Sequence, residues 1–147
     1  MKILILGCGA IGGYFGGRLQ QAGLNVTFLV REHRQEILHA NGLSITSPFG
    51  DAHLQVNTVT KDNLNDTYDL ILLTCKSYDL DDAIDAIEPA VGNKTIIIPL
   101  LNGLNHYEKL DEKFKAANVI GGFCFLSVTT DGNGNIQHLS NSHSLTG

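Results

Sequence analysis

Apolar and polar positions alternate along this chain on two different periods. Ile3-Leu4-Ile5-Leu6 is an unbroken apolar run, and further runs stand at Asn25 to Val30, Asp69 to Thr74, Thr95 to Leu101 and Asn118 to Phe125. Short continuous runs of this kind suit strands covered on both faces, as in a parallel sheet. Between them the period lengthens. Ile11, Phe15, Leu19 and Ala22 share one face of a helix predicted over Ile11 to Ala22, with Gly23 as its C-terminal stop. A short helix is predicted over Gln35 to Ala40, closed by Asn41-Gly42. Another is predicted over Asp79 to Ala90, with Leu80, Ala83, Ile84 and Ile87 on one side, and a third runs to about Ala116. Strand and helix in regular alternation predict an α/β fold of the Rossmann type, doubly wound around a mainly parallel sheet.

One stretch breaks the alternation. Leu43, Ile45, Leu54 and Val56 alternate with polar residues around Ser47-Pro48-Phe49-Gly50-Asp51, which predicts an inserted β-hairpin with one solvated face. Near the end, Asp131-Gly132-Asn133-Gly134-Asn135 reads as a turn. The strand after it, Asn135 to Leu139, is expected to pair back on the strand at Asn118 to Phe125. At 147 residues the chain has room for a single domain, taken as residues 1–147.

The chemistry collects at the carboxyl ends of the predicted strands. The first strand runs into Gly7-Cys8-Gly9-Ala10-Ile11-Gly12, a strand–turn–helix sequence that fits a dinucleotide diphosphate. Gly7 permits the turn, Gly9 lets backbone approach a pyrophosphate, and Gly12 lets helix and strand pack closely. The ligand would rest on unpaired N–H groups at the positive end of the helix dipole. Four glycines in one helix, Gly12, Gly13, Gly16 and Gly17, point to close approach by a neighbour, and packing on the sheet is the plainer reading for the last two.

Arg31 closes the second strand, 19 residues beyond Gly12. An acid there would serve the ribose hydroxyls of NAD, whereas an arginine matches the 2′-phosphate of NADP. Only three arginines occur, and Arg31 and Arg34 both stand here, with Glu32 between them as an acceptor that NAD could use. Lys76 follows the strand ending at Thr74, and Asn102 follows the one ending at Leu101, both in the place where ligands meet such sheets. Asp79, Asp81, Asp82 and Asp85 read as a solvated helix face matched to the dipole. The six histidines lack metal-ligand spacing and read as surface or loop residues, so no metal site is expected.

Charge and cysteine usage narrow the setting. A net charge of −5 argues against nucleic acid or an anionic membrane as partner. The three cysteines, Cys8, Cys75 and Cys124, are odd in number and form no CxxC, which suits a reducing cytoplasm. No stretch approaches the roughly twenty apolar residues that span a bilayer, and the apolar run behind Met1-Lys2 is too short for a signal peptide.

Four features in this order, the glycine turn, Arg31, Lys76 after Leu72-Leu73-Thr74-Cys75, and Leu101-Asn102-Gly103 followed by Glu108, resemble the N-terminal half of the ketopantoate reductase (2-dehydropantoate 2-reductase) family. The resemblance spans essentially the whole chain. It implies NADP(H) as cofactor, with Gly7, Cys8, Gly9, Ala10, Ile11 and Gly12 around the diphosphate and Arg31 on the 2′-phosphate. It places Lys76 and Asn102 at the nicotinamide end, Asn102 also beside the substrate, and the backbone of Val128 against the cofactor. The implied partner is a 2-keto acid, ketopantoate on the pantothenate route, and an oligomer is possible. Two departures stand out. Asn105 replaces a family glycine, and the helical C-terminal domain that carries the family's proton-donating lysine is expected to lie outside this chain, so no catalytic residue is assigned here. The chain is therefore expected to bind NADPH but to turn over little on its own. Alternatives are a related reductase of another 2-keto acid and a non-catalytic NAD(P)-sensing domain.

Overall fold

The computed structural model describes residues 1–114 and 118–147. Its frame is a six-stranded sheet in which every neighbouring pair is parallel. β1 (Lys2–Leu6) lies between β2 (Asn25–Leu29) and β6 (Tyr68–Leu73). The sheet extends to β5 (Asn57–Val59) beyond β2, and to β7 (Val91–Pro99) and β8 (Asn118–Val119) beyond β6. The chain thus leaves β1 in one direction, returns, and builds outward in the other. The resulting crevice lies at the carboxyl ends of β1 and its neighbours.

The apolar runs are continuous because both faces are covered. Ile3 and Ile5 enter one core with Tyr14, Phe15 and Phe28, while Leu4 and Leu6 enter the other with Ile71, Leu73, Ile84 and Leu110. Burying a side chain of this size contributes about 1.5–3 kcal/mol. On the second side lie α3 (Leu80–Ile87) and α4 (His106–Lys113). The longer helix predicted from Asp79 is α-helical only over α3, flanked by 3₁₀ turns. Pro89 in the second turn has no N–H with which to continue the ladder. The predicted helix end near Ala116 lies outside the described residues.

On the first side α1 (Ala10–Gln21) is wedged between two sheets. The second sheet holds β3 (Leu43–Thr46) and β4 (Ala52–Leu54), which form the predicted hairpin. It also holds β10 (Val128–Thr130) and β11 (Ile136–His138), in the order β10-β11-β3-β4. The α1 glycines divide between these layers. A Cβ on Gly12 or Gly16 would strike the main-sheet side, at Gly7 O and the Phe28 ring respectively, each 2.5 Å away. One on Gly13 or Gly17 would strike Ile136 or Ile45 of the second sheet, each at 2.6 Å. Two glycine pairs spaced i, i+4 let one helix pack closely on both sides.

Three expectations are corrected here. The run predicted as one strand over Asn118 to Phe125 is split at Gly121-Gly122. A Cβ on Gly122 would lie 2.5 Å from Pro99 O, so the chain turns tightly past the end of β7. Beyond it β9 (Phe123–Phe125) leaves the main sheet and pairs with β12 (Ser144–Thr146). The strand after the Asp131 turn therefore does not pair with Asn118 to Phe125. It is β11, antiparallel to β10 and parallel to β3. The helix after Arg31, α2 (Glu32–Asn41), starts earlier than predicted, with extended Arg31 as its N-cap, and closes at Gly42 with φ 71°.

Candidate functional site

The glycine turn crosses the carboxyl end of β1. Gly7 has φ 91°, a conformation that favours glycine, and its N–H donates to Leu29 O at 2.9 Å. Gly9 is the N-cap of α1 and accepts the first helical hydrogen bond, from Gly13 N–H at 2.8 Å. The N–H groups of Ala10, Ile11 and Gly12 are thus among those a helix leaves without an internal partner. No side chain caps them, and the first turn holds no acid. Thr74 Oγ1 donates to Leu6 O at 2.6 Å and lies where a Cβ on Gly12 would fall, which seats the turn against β6. No atom of the described residues lies within 4 Å of a Cβ built on Gly9, so they leave the space above it open.

A groove of about 1110 Å³ opens beside this turn. Gly7, Cys8 and Gly9 line it with Arg31, Glu32 and Arg34 at the start of α2. Asp79, Asp82, Ala83 and Ala86 form the facing wall, and Thr130 and Gly134 close it from the second sheet. The Arg31 side chain is 85% exposed, 3.9 Å from the Asp79 carboxylate. Cys8 itself is buried, and burial pushes its thiol up to about 11 against the weaker pull of Arg34. It remains neutral at physiological pH.

The other sequence candidates lie near this groove but outside its lining. Ala10, Ile11 and Gly12 stand behind the turn at the head of α1. Lys76 is exposed, with its ammonium 6.0 Å from the Tyr78 ring centre. Asn102 lines a separate depression of about 520 Å³ with Ser77, Leu104, Asn105 and His106. Val128 begins β10, opposite His138. The structure therefore brings Gly7, Cys8, Gly9 and Arg31 onto one wall, with Asn102 in an adjoining hollow beside the loop that carries Lys76.

Sequence reasoning gave a role to Arg31 and none to Arg34, and their settings differ. Arg34 Nη2 donates to Cys8 O at 3.0 Å and to Gly134 O at 2.8 Å. The reading of all six histidines as surface or loop residues is also corrected. His106 and His138 are buried, and burial lowers the pKa of His106. His138 is held by Ser47 Oγ on one ring nitrogen and by Ser140 Oγ and the Ser142 carbonyl on the other. Tyr14 hydrogen-bonds His143, on which Phe49 stacks at 4.3 Å. These side chains staple the second sheet to α1. Among the described residues no three His, Cys, Asp or Glu side chains converge as a metal site. The aspartates of α3 do form a largely solvated face, with Asp81 paired to Lys109 at 2.7 Å.

The family model for ketopantoate reductase PanE/ApbA matches residues 3–146. The chain belongs to that family. Among curated relatives it is 40% identical over 143 residues to the uncharacterized oxidoreductase YkpB of Bacillus subtilis (strain 168), covering 97% of this chain and 47% of the relative. A crystal structure of 2-dehydropantoate 2-reductase from Geobacter metallireducens GS-15 superposes with a TM-score of 0.89 at 33% identity, over 99% of this chain and 48% of that one. The ternary structure of D-mandelate dehydrogenase with NADH and anilino(oxo)acetate also superposes with a TM-score of 0.89, at 25% identity over 99% of this chain and 47% of that one. The chain spans about half the length of the relatives it matches. Within the family it is the Rossmann-like N-terminal part. No helix among the described residues is long and apolar enough to cross a membrane.

Proposed function

We propose that this chain is the cofactor-binding half of an NADPH-dependent 2-keto acid reductase, with 2-dehydropantoate as the substrate. The observation that carries the reading is one groove bounded by an open glycine turn at a helix N-terminus and by the exposed Arg31 guanidinium. The turn fits a diphosphate, because the N–H groups of Ala10, Ile11 and Gly12 at the head of α1 have no partner within the helix and no carboxylate stands in its first turn. When bound, the nicotinamide supplies the hydride. Cys8 and Gly9, with Ala10, Ile11 and Gly12 behind them, hold the diphosphate through backbone N–H groups, and Gly7, whose own N–H is taken by Leu29 O, shapes the turn that presents them. Arg31 takes the 2′-phosphate as a planar fork of donors. Lys76, Asn102 and the Val128 backbone border the nicotinamide end, and the Asn102 amide reaches the keto acid.

The groups that protonate the developing alkoxide belong to a further segment, since the related proteins are about twice as long as this chain. The 147-residue chain should therefore bind NADPH yet reduce ketopantoate little or not at all, and robust turnover by it alone would overturn that division of labour. A second reading has a specific observation behind it. Glu32 stands beside Arg31 on the groove wall, and the D-mandelate dehydrogenase neighbour carries NADH. Those two facts support a related reductase using NADH and another 2-keto acid.

Titration with both cofactors decides between them. Charge-assisted hydrogen bonds contribute about 1.5–3 kcal/mol. Arg31→Ala should therefore weaken NADPH roughly 10- to 100-fold and leave NADH nearly unchanged. Equal losses for both cofactors would refute the 2′-phosphate role, and tighter NADH binding by the parent chain would favour the second reading.

A further inference from the structure

Arg34 is the residue that joins the two sheets at the mouth of the groove. Its Nη2 donates to Cys8 O in the glycine turn and to Gly134 O in the turn between β10 and β11. Both acceptors are neutral carbonyls. No ion pair among the described residues includes Arg34, whereas Arg31 has Asp79 within 3.9 Å. Arg34 thus has no carboxylate within ion-pair distance among the described residues, although Glu32, Asp62, Asp79 and Asp82 share the lining of the groove, and it stands beside the N–H groups at the head of α1.

The turn that Arg34 holds is itself stiff. Asp131 Oδ1 accepts Asn133 N–H at 2.8 Å and Asn135 N–H at 2.9 Å, and Oδ2 accepts the Asn135 side-chain amide at 2.9 Å. Those bonds to the carboxylate lower its pKa, the Asn135 side chain foremost. Beyond the turn, Ile136 packs onto Gly13 of α1. Gly134 has φ 79°, and a Cβ there would overlap the Arg34 guanidinium.

We infer that Arg34, latched to the 131–135 turn, is a positioning residue for the diphosphate shared by NADP and NAD, and that this turn is the closing wall of the diphosphate site. The inference rests on the cofactor reading above and deepens it. Arg34 orients the glycine turn through the Cys8 carbonyl and supplies positive charge beside the two phosphates. A diphosphate common to both cofactors makes the consequence differ from that of Arg31. Loss of Arg34 is felt by NADPH and NADH alike.

The test is titration of the full chain with both cofactors at two salt concentrations, alongside thermal unfolding without cofactor. Arg34→Ala should weaken both cofactors by a similar factor, roughly 5- to 30-fold for a half-exposed charge-assisted contact, and flatten the salt dependence of binding. Arg34→Lys keeps the charge but not the guanidinium that reaches both carbonyls, and should recover only part of the affinity lost in Arg34→Ala. Gly134→Ala displaces the guanidinium and should weaken both cofactors although Arg34 is intact, and the double variant should bind no worse than Arg34→Ala. Unchanged binding by Arg34→Ala with only a lower unfolding temperature would reduce Arg34 to a structural tie and overturn the inference. So would a loss confined to NADPH, or additive losses in the double variant. A parent chain that binds neither cofactor would instead overturn the cofactor reading itself.

Discussion

Replacing Gly12 and Gly9 separately by alanine should split stability from binding within one six-residue motif. At Gly12 the added methyl would lie 2.5 Å from both Gly7 O and Thr74 Oγ1, and 3.2 Å from Ile5 Cγ2. Neither oxygen can easily retreat. Gly7 is tied to Leu29 O at 2.9 Å, and Thr74 Oγ1 donates to Leu6 O at 2.6 Å. The helix cannot simply back away either, because Ile136 and Ile45 press on Gly13 and Gly17 from its other side. Overpacking of this kind costs about 1–3 kcal/mol or more, and the wedged geometry puts Gly12 at the upper end. Alanine returns up to about 1 kcal/mol of helix propensity. A net loss of about 2 kcal/mol lowers the unfolding midpoint by roughly 4–8 °C in a chain of this size.

Gly9→Ala has no such clash, since no atom of the described residues lies within 4 Å and the backbone is extended at φ −87°. Its midpoint without cofactor should stay within about 2 °C of the parent. Under the cofactor reading, however, the methyl enters the space a diphosphate would take. At a cofactor concentration of 100 times Kd the parent gains about 2.7 kcal/mol from binding, and a tenfold weaker variant gains about 1.4 kcal/mol. The NADPH-induced rise in midpoint should therefore fall by half or more for Gly9→Ala. Scanning calorimetry with and without NADPH reads both quantities. An unchanged midpoint for Gly12→Ala would refute the packing argument, and a full NADPH shift for Gly9→Ala would refute the close approach of the diphosphate.

The other α1 glycines should rank by what stands opposite them. Gly16→Ala meets the Phe28 ring at 2.5 and 2.6 Å and Ile5 Cγ1 at 3.0 Å, and should cost about 2–3 kcal/mol in urea unfolding. Gly17→Ala meets chiefly the tip of Ile45, which can rotate, and should cost under about 1 kcal/mol. Thr74→Val removes the bond to Leu6 O while nearly preserving volume, and a loss of about 1–2 kcal/mol is expected; no loss would mean the hydroxyl does not hold the turn. Burial pushes both Cys8 and Cys75 up to about 11, from an ordinary value of 9.0. Their neutral forms favour the folded state, so that contribution is intact below about pH 9 and is lost as pH rises toward 11. Thiol-reagent titration at pH 8 should find both slow in the folded chain and fast in urea; rapid labelling of folded Cys8 would contradict its burial.

How much of this could be read from residues alone depended on how local the cause was. β1 was legible because both of its faces are buried, so four adjacent apolar residues are needed to fill two cores. The glycine turn was legible for the same reason, since turn, cap and helix follow one another within six residues. The second sheet was legible only in pieces, as the β3–β4 hairpin and the strand at β11, and not in how they pair. Its strands are three or four residues long, and β11 pairs with β3 across some ninety residues, with Ile136↔Ile45 as the contact. Nothing in Asn135-Ile136-Gln137-His138 signals that partner. The histidines failed similarly: His138 is satisfied by Ser47, Ser140 and Ser142, a set that exists only once β3 and β11 are side by side. The two arginines show the limit most clearly. Position after a strand selected Arg31, whereas Arg34 acquires its place from Gly134, exactly one hundred residues on. Signals carried by adjacent residues reached the glycine turn, but the wall that the 131–135 turn contributes is assembled by pairing at long range. That wall is where substitutions chosen from the motif alone would leave the groove intact and where Arg34→Ala and Gly134→Ala should open it.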